Sequence, residues 1–149
     1  MKIFFYILFI IFFFVNFSYS KESAYFLSLK NNKVNVRYGP GLDYPVKYIY
    51  KKIHLPVKVI DKRENFRKII DFKKNSGWIH ISQLKKSKSL ITTSPKILFK
   101  KSTKYSKPIA KLDKGRLIMV KKCEKNWCNI KTENFTGWIV KNNVWGNIN

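Results

Sequence analysis

Cys123 and Cys128 are the only cysteines of the chain, and four residues separate them. Across a hairpin turn, a non-hydrogen-bonded strand pair would bring their Cα atoms to about 4.5 Å, which a disulfide accepts. Two free thiols and half of a metal site are the competing interpretations. A metal site needs further ligands, and neither His54 nor His80 is near the cysteines in sequence. The spacing therefore favours a disulfide, and we predict no metal site.

The remaining titratable residues give little basis for catalysis. His80 lies two residues after Trp78 and is expected to pack beside it on one strand face. Asp43 and Asp71 have no patterned carboxylate partner, and the glycines near residue 40 are not followed by the helix that a phosphate site requires. We therefore predict no catalytic residues, no cofactor and no enzymatic activity.

Residues 37–45 hold the chemistry best suited to binding. They contain two glycines and two prolines, which exclude a regular element and predict a fixed, protruding loop. Tyr38 and Tyr44 would offer flat apolar contacts, and Arg37 would pair with carboxylates. Trp78, on a neighbouring strand, is the fourth predicted ligand-binding residue, although packing in a small core is the competing role for so large a ring.

The chain as a whole is built from one unit used twice. Residues 77–79 and 137–139 both read Gly-Trp-Ile, and Trp127 falls where the first block has Phe66. Short strand signals recur with turn chemistry between them, and no helical apolar stripe is present, which predicts an all-β fold. In the matching of the two blocks, residues 97–100 align with residues 34–37, and residues 85–88 form a lysine-rich linker.

Alternation along a strand adds a constraint on the two tryptophan stretches. Trp78 and Ile79 must point to opposite faces, as must Trp138 and Ile139. One residue of each pair is expected to enter the core. The other needs cover, which we expect from the neighbouring repeat or from a partner. The glycine before each tryptophan fits a bend or a close approach of another strand.

The N-terminal 20 residues have the layout of a secretory signal peptide. Lys2 precedes an apolar run of about 13 residues, from Ile3 to Val15, and Ser18 and Ser20 supply small residues for cleavage before Lys21. The run is shorter than the ~20 residues that span a bilayer, and an uncleaved anchor is the alternative. The expected location is periplasmic or secreted, where disulfides persist.

The formal net charge of +23 has two explanations. A strongly basic chain is typical of proteins that bind nucleic acid, an anionic membrane surface or an acidic polymer. However, only four basic residues are arginines, and the abundance of Lys, Asn, Ile, Phe and Tyr is also what an A/T-rich genome would produce. Nucleic acid is disfavoured by the export signal and by the scarcity of arginine forks.

These motifs together resemble the bacterial SH3-like (SH3b) family. The resemblance rests on residues 34–41, on the aromatic residue after a hairpin and on the closing Gly-Trp-Ile. The two-copy arrangement is similar to the exported form, whose second copy carries Cys-x-x-x-Trp-Cys, as in residues 123–128, and ends near a Trp-Gly like residues 145–146. The resemblance implies two tandem small SH3-like β-barrels, here residues 24–86 and 89–147, that bind rather than catalyse.

The function expected from this resemblance is recognition of cell-wall peptide or glycan, or of an envelope protein. One alternative is a structural or assembly factor that docks onto an envelope protein through the surface between the repeats. A second is charge-driven adhesion to anionic surfaces, which would weaken as salt rises.

Overall fold

The computed structural model describes residues 23–148, so the predicted signal peptide lies outside the described residues. The described chain is all-β apart from one short 3-10 helix, Ile81–Gln83, and its strands form two seven-stranded sheets. The first sheet contains β1 (Tyr25–Leu29), β2 (Val34–Arg37), β3 (Val46–Tyr50), β4 (Pro56–Arg63), β5 (Phe66–Ile70), β6 (Ser76–His80) and β7 (Leu84–Lys86). The second contains β8 (Ser89–Thr92), β9 (Lys96–Phe99), β10 (Pro108–Leu112), β11 (Leu117–Glu124), β12 (Trp127–Thr132), β13 (Phe135–Val140) and β14 (Val144–Trp145).

The two sheets have the same topology. The strand order is β3-β2-β6-β5-β4-β1-β7 in the first and β10-β9-β13-β12-β11-β8-β14 in the second, so each strand corresponds to the one seven places later. All the strand pairs are antiparallel. The predicted all-β duplication is therefore confirmed, and the register now defines which residues correspond.

The register corrects the matching of the two blocks by one residue. Arg37 lies opposite Trp78, and Phe99 lies opposite Trp138, so Phe99 is the counterpart of Arg37. Lys96 consequently takes the place of Val34 and is itself buried. Its ammonium group donates to the backbone and side-chain oxygens of Asn142. Burial lowers the pKa of Lys96, and these hydrogen bonds compensate its lost hydration.

The glycine before each tryptophan is required by close approach of a neighbouring strand. A Cβ on Gly77 would collide with the side chain of Val36, and one on Gly137 would lie 2.6 Å from the carbonyl oxygen of Phe99. The following isoleucines, Ile79 and Ile139, are fully buried. The tryptophans therefore occupy the outer faces of their sheets.

A lysine of the same repeat lies over Trp138 on the outer face of the second sheet. The ammonium of Lys122 lies 5.3 Å from the centroid of the Trp138 ring. Trp138 is still half-buried rather than buried, and its cover by the other repeat or by a partner stays a prediction. A lysine two strands away is long enough to lay its apolar stem across an aromatic face.

The predicted linker is also largely wrong. Lys85 and Lys86 belong to β7 and pair with Ser28 and Leu27 of β1. Only two residues join β7 to β8, and one of them, Ser87, is buried. Sequence alone suggests that a lysine-rich stretch is a solvated linker. Lysines are also common on the exposed edge strands of sheets, and β7 is such a strand.

The two repeats share a packed interface. The hydroxyl of Ser28 lies 2.9 Å from those of Ser87 and Ser89, forming a buried network. Ile91 of β8 belongs to the apolar core of the first repeat. Trp145 reaches across from β14, donating its indole N–H to the carbonyl oxygen of Pro56 at 3.1 Å and meeting the Phe26 ring edge to face. The repeats are therefore joined through apolar contacts and hydrogen bonds.

His54 lies at this interface in a strained conformation. Its φ is +65°, and its counterpart in the second repeat is Gly115, with φ +82°. Each donates its amide to the strand that begins its sheet, His54 to Leu29 at 3.0 Å and Gly115 to Thr92 at 2.7 Å. The Nδ1 atom of His54 is buried without a hydrogen-bond partner. Burial lowers the pKa of His54, and the charge of Lys85 lowers it further.

Candidate functional site

The loop between β2 and β3 is closed by hydrogen bonds at its base. A guanidinium nitrogen of Arg37 donates to the carbonyl oxygen of Tyr44 at 2.7 Å. The amide of Tyr38 donates to the carbonyl of Pro45 at 3.2 Å. Because these bonds tie the first residues of the loop to its last, the predicted fixed loop is confirmed. One donor group of Arg37 is thereby committed to holding the loop.

The ring of Tyr44 packs onto the glycines of the same loop. A Cβ on Gly39 would overlap the Tyr44 ring, and one on Gly41 would lie 3.2 Å from it. The two glycines are therefore needed so that the tyrosine can lie flat on the backbone. Tyr44 consequently serves mainly as the internal support of the loop, while 45% of its surface stays exposed.

Tyr38 and Leu42 are the most exposed apolar side chains of this loop. Tyr38 is 64% exposed and Leu42 is 68% exposed. The ammonium of Lys47 lies 5.6 Å from the centroid of the Tyr38 ring and donates to the carbonyl of Ser76 at 3.0 Å. The loop thus offers solvent two exposed apolar side chains, and a positioned cation lies beside one of them, Tyr38. We call Tyr38, Leu42 and Lys47 the loop face.

Trp78 is placed beneath this region as a packing residue. It is only 9% exposed, and its strand neighbours are Arg37 on one side and Lys68 on the other. The structure therefore brings Arg37, Tyr44 and Trp78 together at the base of the loop. Trp78 has little free surface for a ligand, which agrees with the packing role weighed against binding.

The strand that leaves the loop is anchored by a polar network that the sequence did not reveal. The hydroxyl of Tyr50 donates to the buried carboxylate of Asp71 at 2.9 Å. The same carboxylate accepts from the amide of Lys73 and from the amide and side chain of Asn75, each at 2.9 Å. Burial raises the pKa of Tyr50, as it does that of Tyr48. The network fixes β3, which carries Lys47.

The corresponding loop of the second repeat has a different construction. It lacks glycine, and its bends are closed by bonds such as that from the Lys101 amide to the Ser106 hydroxyl at 2.9 Å. Its tyrosine, Tyr105, is 100% exposed, with no glycine for its ring to pack on. The two loops therefore differ in shape.

The hairpin β11–β12 of the second repeat and its counterpart β4–β5 in the first are closed by different bonds. Cys123 and Cys128 lie directly opposite each other and are bonded, with Cα atoms 4.0 Å apart. The disulfide is confirmed, and Cys128 is fully buried in the same core cluster as Ile130. In the first repeat Arg67 stands in place of Cys128 and donates to the carbonyls of Glu64 and Phe66, both at 2.9 Å.

Within residues 23–148, no group of three or more His, Cys, Asp and Glu side chains is arranged to hold a metal ion. Over the same residues, no helix has both the length and the apolar character needed to cross a membrane.

Two tandem SH3-like domains are the class of protein that this fold defines. A model of the bacterial SH3 domain matches the sequence twice, at residues 30–86 and 95–146. The chain belongs to the bacterial SH3 domain family, as its motifs indicated. No curated protein matches the chain.

Two solved structures are similar to parts of the chain. NlpC2 from Trichomonas vaginalis has 12% identity and a TM-score of 0.39, covering 86% of this chain and 50% of its own. NlpC1 from the same organism has 12% identity and a TM-score of 0.37, covering 85% of this chain and 47% of its own. The chain therefore spans about half the length of these structures.

Proposed function

We propose that the chain is an exported, non-catalytic binding protein that attaches to cell-wall peptide through the loop face of its first repeat. The observation that carries this proposal is the loop itself, in which a backbone closed by hydrogen bonds presents Tyr38 and Leu42 to solvent and Lys47 lies beside Tyr38. A rigid loop binds with a smaller entropic cost than a flexible one. Membership of the bacterial SH3 domain family supports a binding role.

Each residue of the site has a separate task under this proposal. Tyr38 and Leu42 bury apolar parts of the peptide, and Lys47 pairs with a peptide carboxylate. Arg37 acts by holding the loop closed, since it already donates to Tyr44. Tyr44 and Trp78 support the backbone from below. Binding therefore depends on the loop face, and the integrity of the loop depends on the residues at its base.

Export to the periplasm or the medium is part of the same proposal. The disulfide between Cys123 and Cys128 is of the kind that persists in oxidising compartments. The apolar run that follows Lys2 has the layout of a cleaved signal peptide. Sequencing the N-terminus of the protein recovered from cells tests this point, and a mature chain that still begins at Met1 would contradict cleavage.

The binding test is sedimentation with isolated cell wall at two salt concentrations. We expect Tyr38→Ala combined with Leu42→Ala to lower the bound fraction strongly, because the apolar contacts are removed. Tyr105→Ala is the matched control, since it removes an exposed tyrosine from the corresponding loop of the second repeat. Equal binding by the loop-face variant and the control, with both folded, would exclude the site.

Charge-driven adhesion is the second candidate function, because the net charge of +23 attracts any anionic surface. It predicts binding that disappears above physiological salt and is insensitive to Tyr38→Ala. Docking onto an envelope protein is a further alternative to peptide binding. Crosslinking in intact cells separates these two functions. Docking onto an envelope protein would yield a stoichiometric protein partner, whereas peptide binding would yield wall peptides.

A further inference from the structure

The outer face of the second sheet carries three large aromatic side chains on adjacent strands. Ile139, Cys128 and Leu98 are fully buried in the core. Their neighbours Trp138 on β13, Trp127 on β12 and Phe99 on β9 therefore point outward. All three rings are half-buried, so each retains accessible surface. We call Phe99, Trp127 and Trp138 the aromatic face.

Two rings of this face, Phe99 and Trp127, are in contact with each other. The centroids of Phe99 and Trp127 lie 5.7 Å apart, at an interplanar angle of 80°. Trp138 pairs directly with Phe99 across one ladder and with Asn129 across the other. From β9 to β12 the face spans two strand spacings, or about 10 Å. This is an extended apolar platform on an open sheet rather than a deep pocket.

Polar and positive side chains surround the platform. Asn129 lies between the two tryptophans, two residues after Trp127 and opposite Trp138. Lys131 and Lys111 share the outward parity, because they pair with Thr136 and Ile97 on the same side of the sheet. The ammonium of Lys122 lies over the Trp138 ring and 2.6 Å from the carboxylate of Glu124. Three lysines and one carboxylate give this rim a net positive charge.

The first repeat does not offer the same surface. Its counterpart of Phe99 is Arg37, which is occupied in closing the loop. Its counterparts of Trp127 and Trp138 are Phe66, 7% exposed, and Trp78, 9% exposed. The accessible aromatic face thus belongs to the second repeat only.

We propose that the aromatic face binds an anionic polysaccharide. The apolar C–H faces of sugar rings can lie against the exposed parts of Phe99 and Trp127, and the Asn129 amide can bond a sugar hydroxyl. The lysine rim complements carboxylate or phosphate substituents, as does the charge of +23. Within the proposed wall-binding function, on which this inference rests, peptide and glycan are then recognised by different repeats.

The test uses the full mature protein and soluble wall glycan strands from which the peptides have been removed, followed by tryptophan fluorescence and calorimetry. Phe99→Arg places the first-repeat residue at the same register position. We expect it to weaken strand binding about tenfold, which corresponds to about 1.4 kcal/mol. The added charge would strengthen a purely electrostatic attraction, so a loss of affinity isolates the contribution of the ring.

A second substitution guards against misfolding of the first. Lys131→Glu changes an exposed residue of the rim and is expected to weaken binding of the anionic strands while leaving weak binding of a neutral oligosaccharide of the same length unchanged. The inference is overturned if folded Phe99→Arg and Lys131→Glu proteins bind the strands like the wild type, or if peptide-free strands do not bind at all.

The two proposals fail separately. Loss of wall binding in Tyr38→Ala, together with unchanged glycan-strand affinity in Phe99→Arg, would reject the aromatic face and support the loop face. Unchanged binding of soluble wall peptide by Tyr38→Ala, together with lost glycan-strand affinity in Phe99→Arg, would reject the loop face and support the aromatic face.

Discussion

Removing the Trp145 side chain should weaken the first repeat, although this residue lies in the second. Its indole N–H bonds the Pro56 carbonyl at 3.1 Å, its ring meets Phe26 at 5.3 Å, and the Lys74 ammonium lies 5.6 Å from its centroid. It also packs against the first core. Trp145→Ala is therefore a test of how the two repeats depend on each other.

The expected loss can be worked from these contacts. The hydrogen bond contributes about 1 kcal/mol, the edge-to-face ring pair about 1 kcal/mol and the cation near the ring about 0.5 kcal/mol. With part of the apolar burial added, we expect a loss of about 3 kcal/mol, at the lower end of the range for removal of large aromatic side chains. Trp145 is half-buried, which explains the lower end.

The assay is urea unfolding followed by circular dichroism, with hydrogen exchange read at individual amides. We expect faster exchange in β4, where Pro56 lies, as well as in β14. Lys85 occupies the position in the first repeat that corresponds to Trp145. Trp145→Lys should therefore lower the free energy of unfolding by a similar amount. A loss below about 0.5 kcal/mol, or faster exchange confined to the second sheet, would refute the interface contribution.

Three further perturbations are expected to have measurable effects. His54→Gly should raise stability by about 1 kcal/mol, because glycine adopts positive φ without strain, as Gly115 does. The folded state lowers the pKa of His54, so the unfolded state binds the proton more tightly. The stability of the wild type should therefore decrease as the pH is lowered through about 6.5, and this decrease should be smaller in His54→Gly. Reducing the disulfide, or replacing Cys123 and Cys128 by serine, should lower unfolding free energy by about 2 kcal/mol in chemical denaturation. Asp71→Ala should cost about 3 kcal/mol by the same measurement, because four buried or partly buried donors lose their acceptor.

Each of these three expectations has a result that would contradict it. A pH profile unchanged in His54→Gly would assign the acid sensitivity to other groups. Equal unfolding midpoints with and without reductant would show that the hairpin is held without its covalent bond. A folded Asp71→Ala protein of wild-type stability would show that water replaces the carboxylate.

Much of the fold could be predicted because its signals are local. The alternation around Val57 and Val59, the aromatic residue after each hairpin and the close approach at Gly77 all follow from strand geometry. The disulfide also followed from a short hairpin. The sequence matching of the two repeats differs from the structural one by one residue. The loop after Arg37 differs from its counterpart, so only the pairing with the tryptophan strands shows which residues correspond.

The binding residues were harder to predict for a physical reason. Exposure depends on packing between elements distant in sequence, so Tyr44, which supports its loop, and Tyr38, which faces solvent, look alike as residue types. The Tyr50–Asp71 network has only a weak sequence signal, two tyrosines spaced by two on one strand face. The aromatic face was missed because its three rings come from strands that become neighbours only in the folded sheet.

The shared strand order of the two repeats has a consequence for how the chain folds. Strands with the same place in two copies compete for the same partners, which favours mispaired or exchanged forms in tandem domains. Here the hairpin of each copy is closed locally, by a disulfide between residues five apart in one and by Arg67 bonding its own turn in the other. Short loops close faster than long ones, and these local closures favour pairing within each copy over exchange with the other.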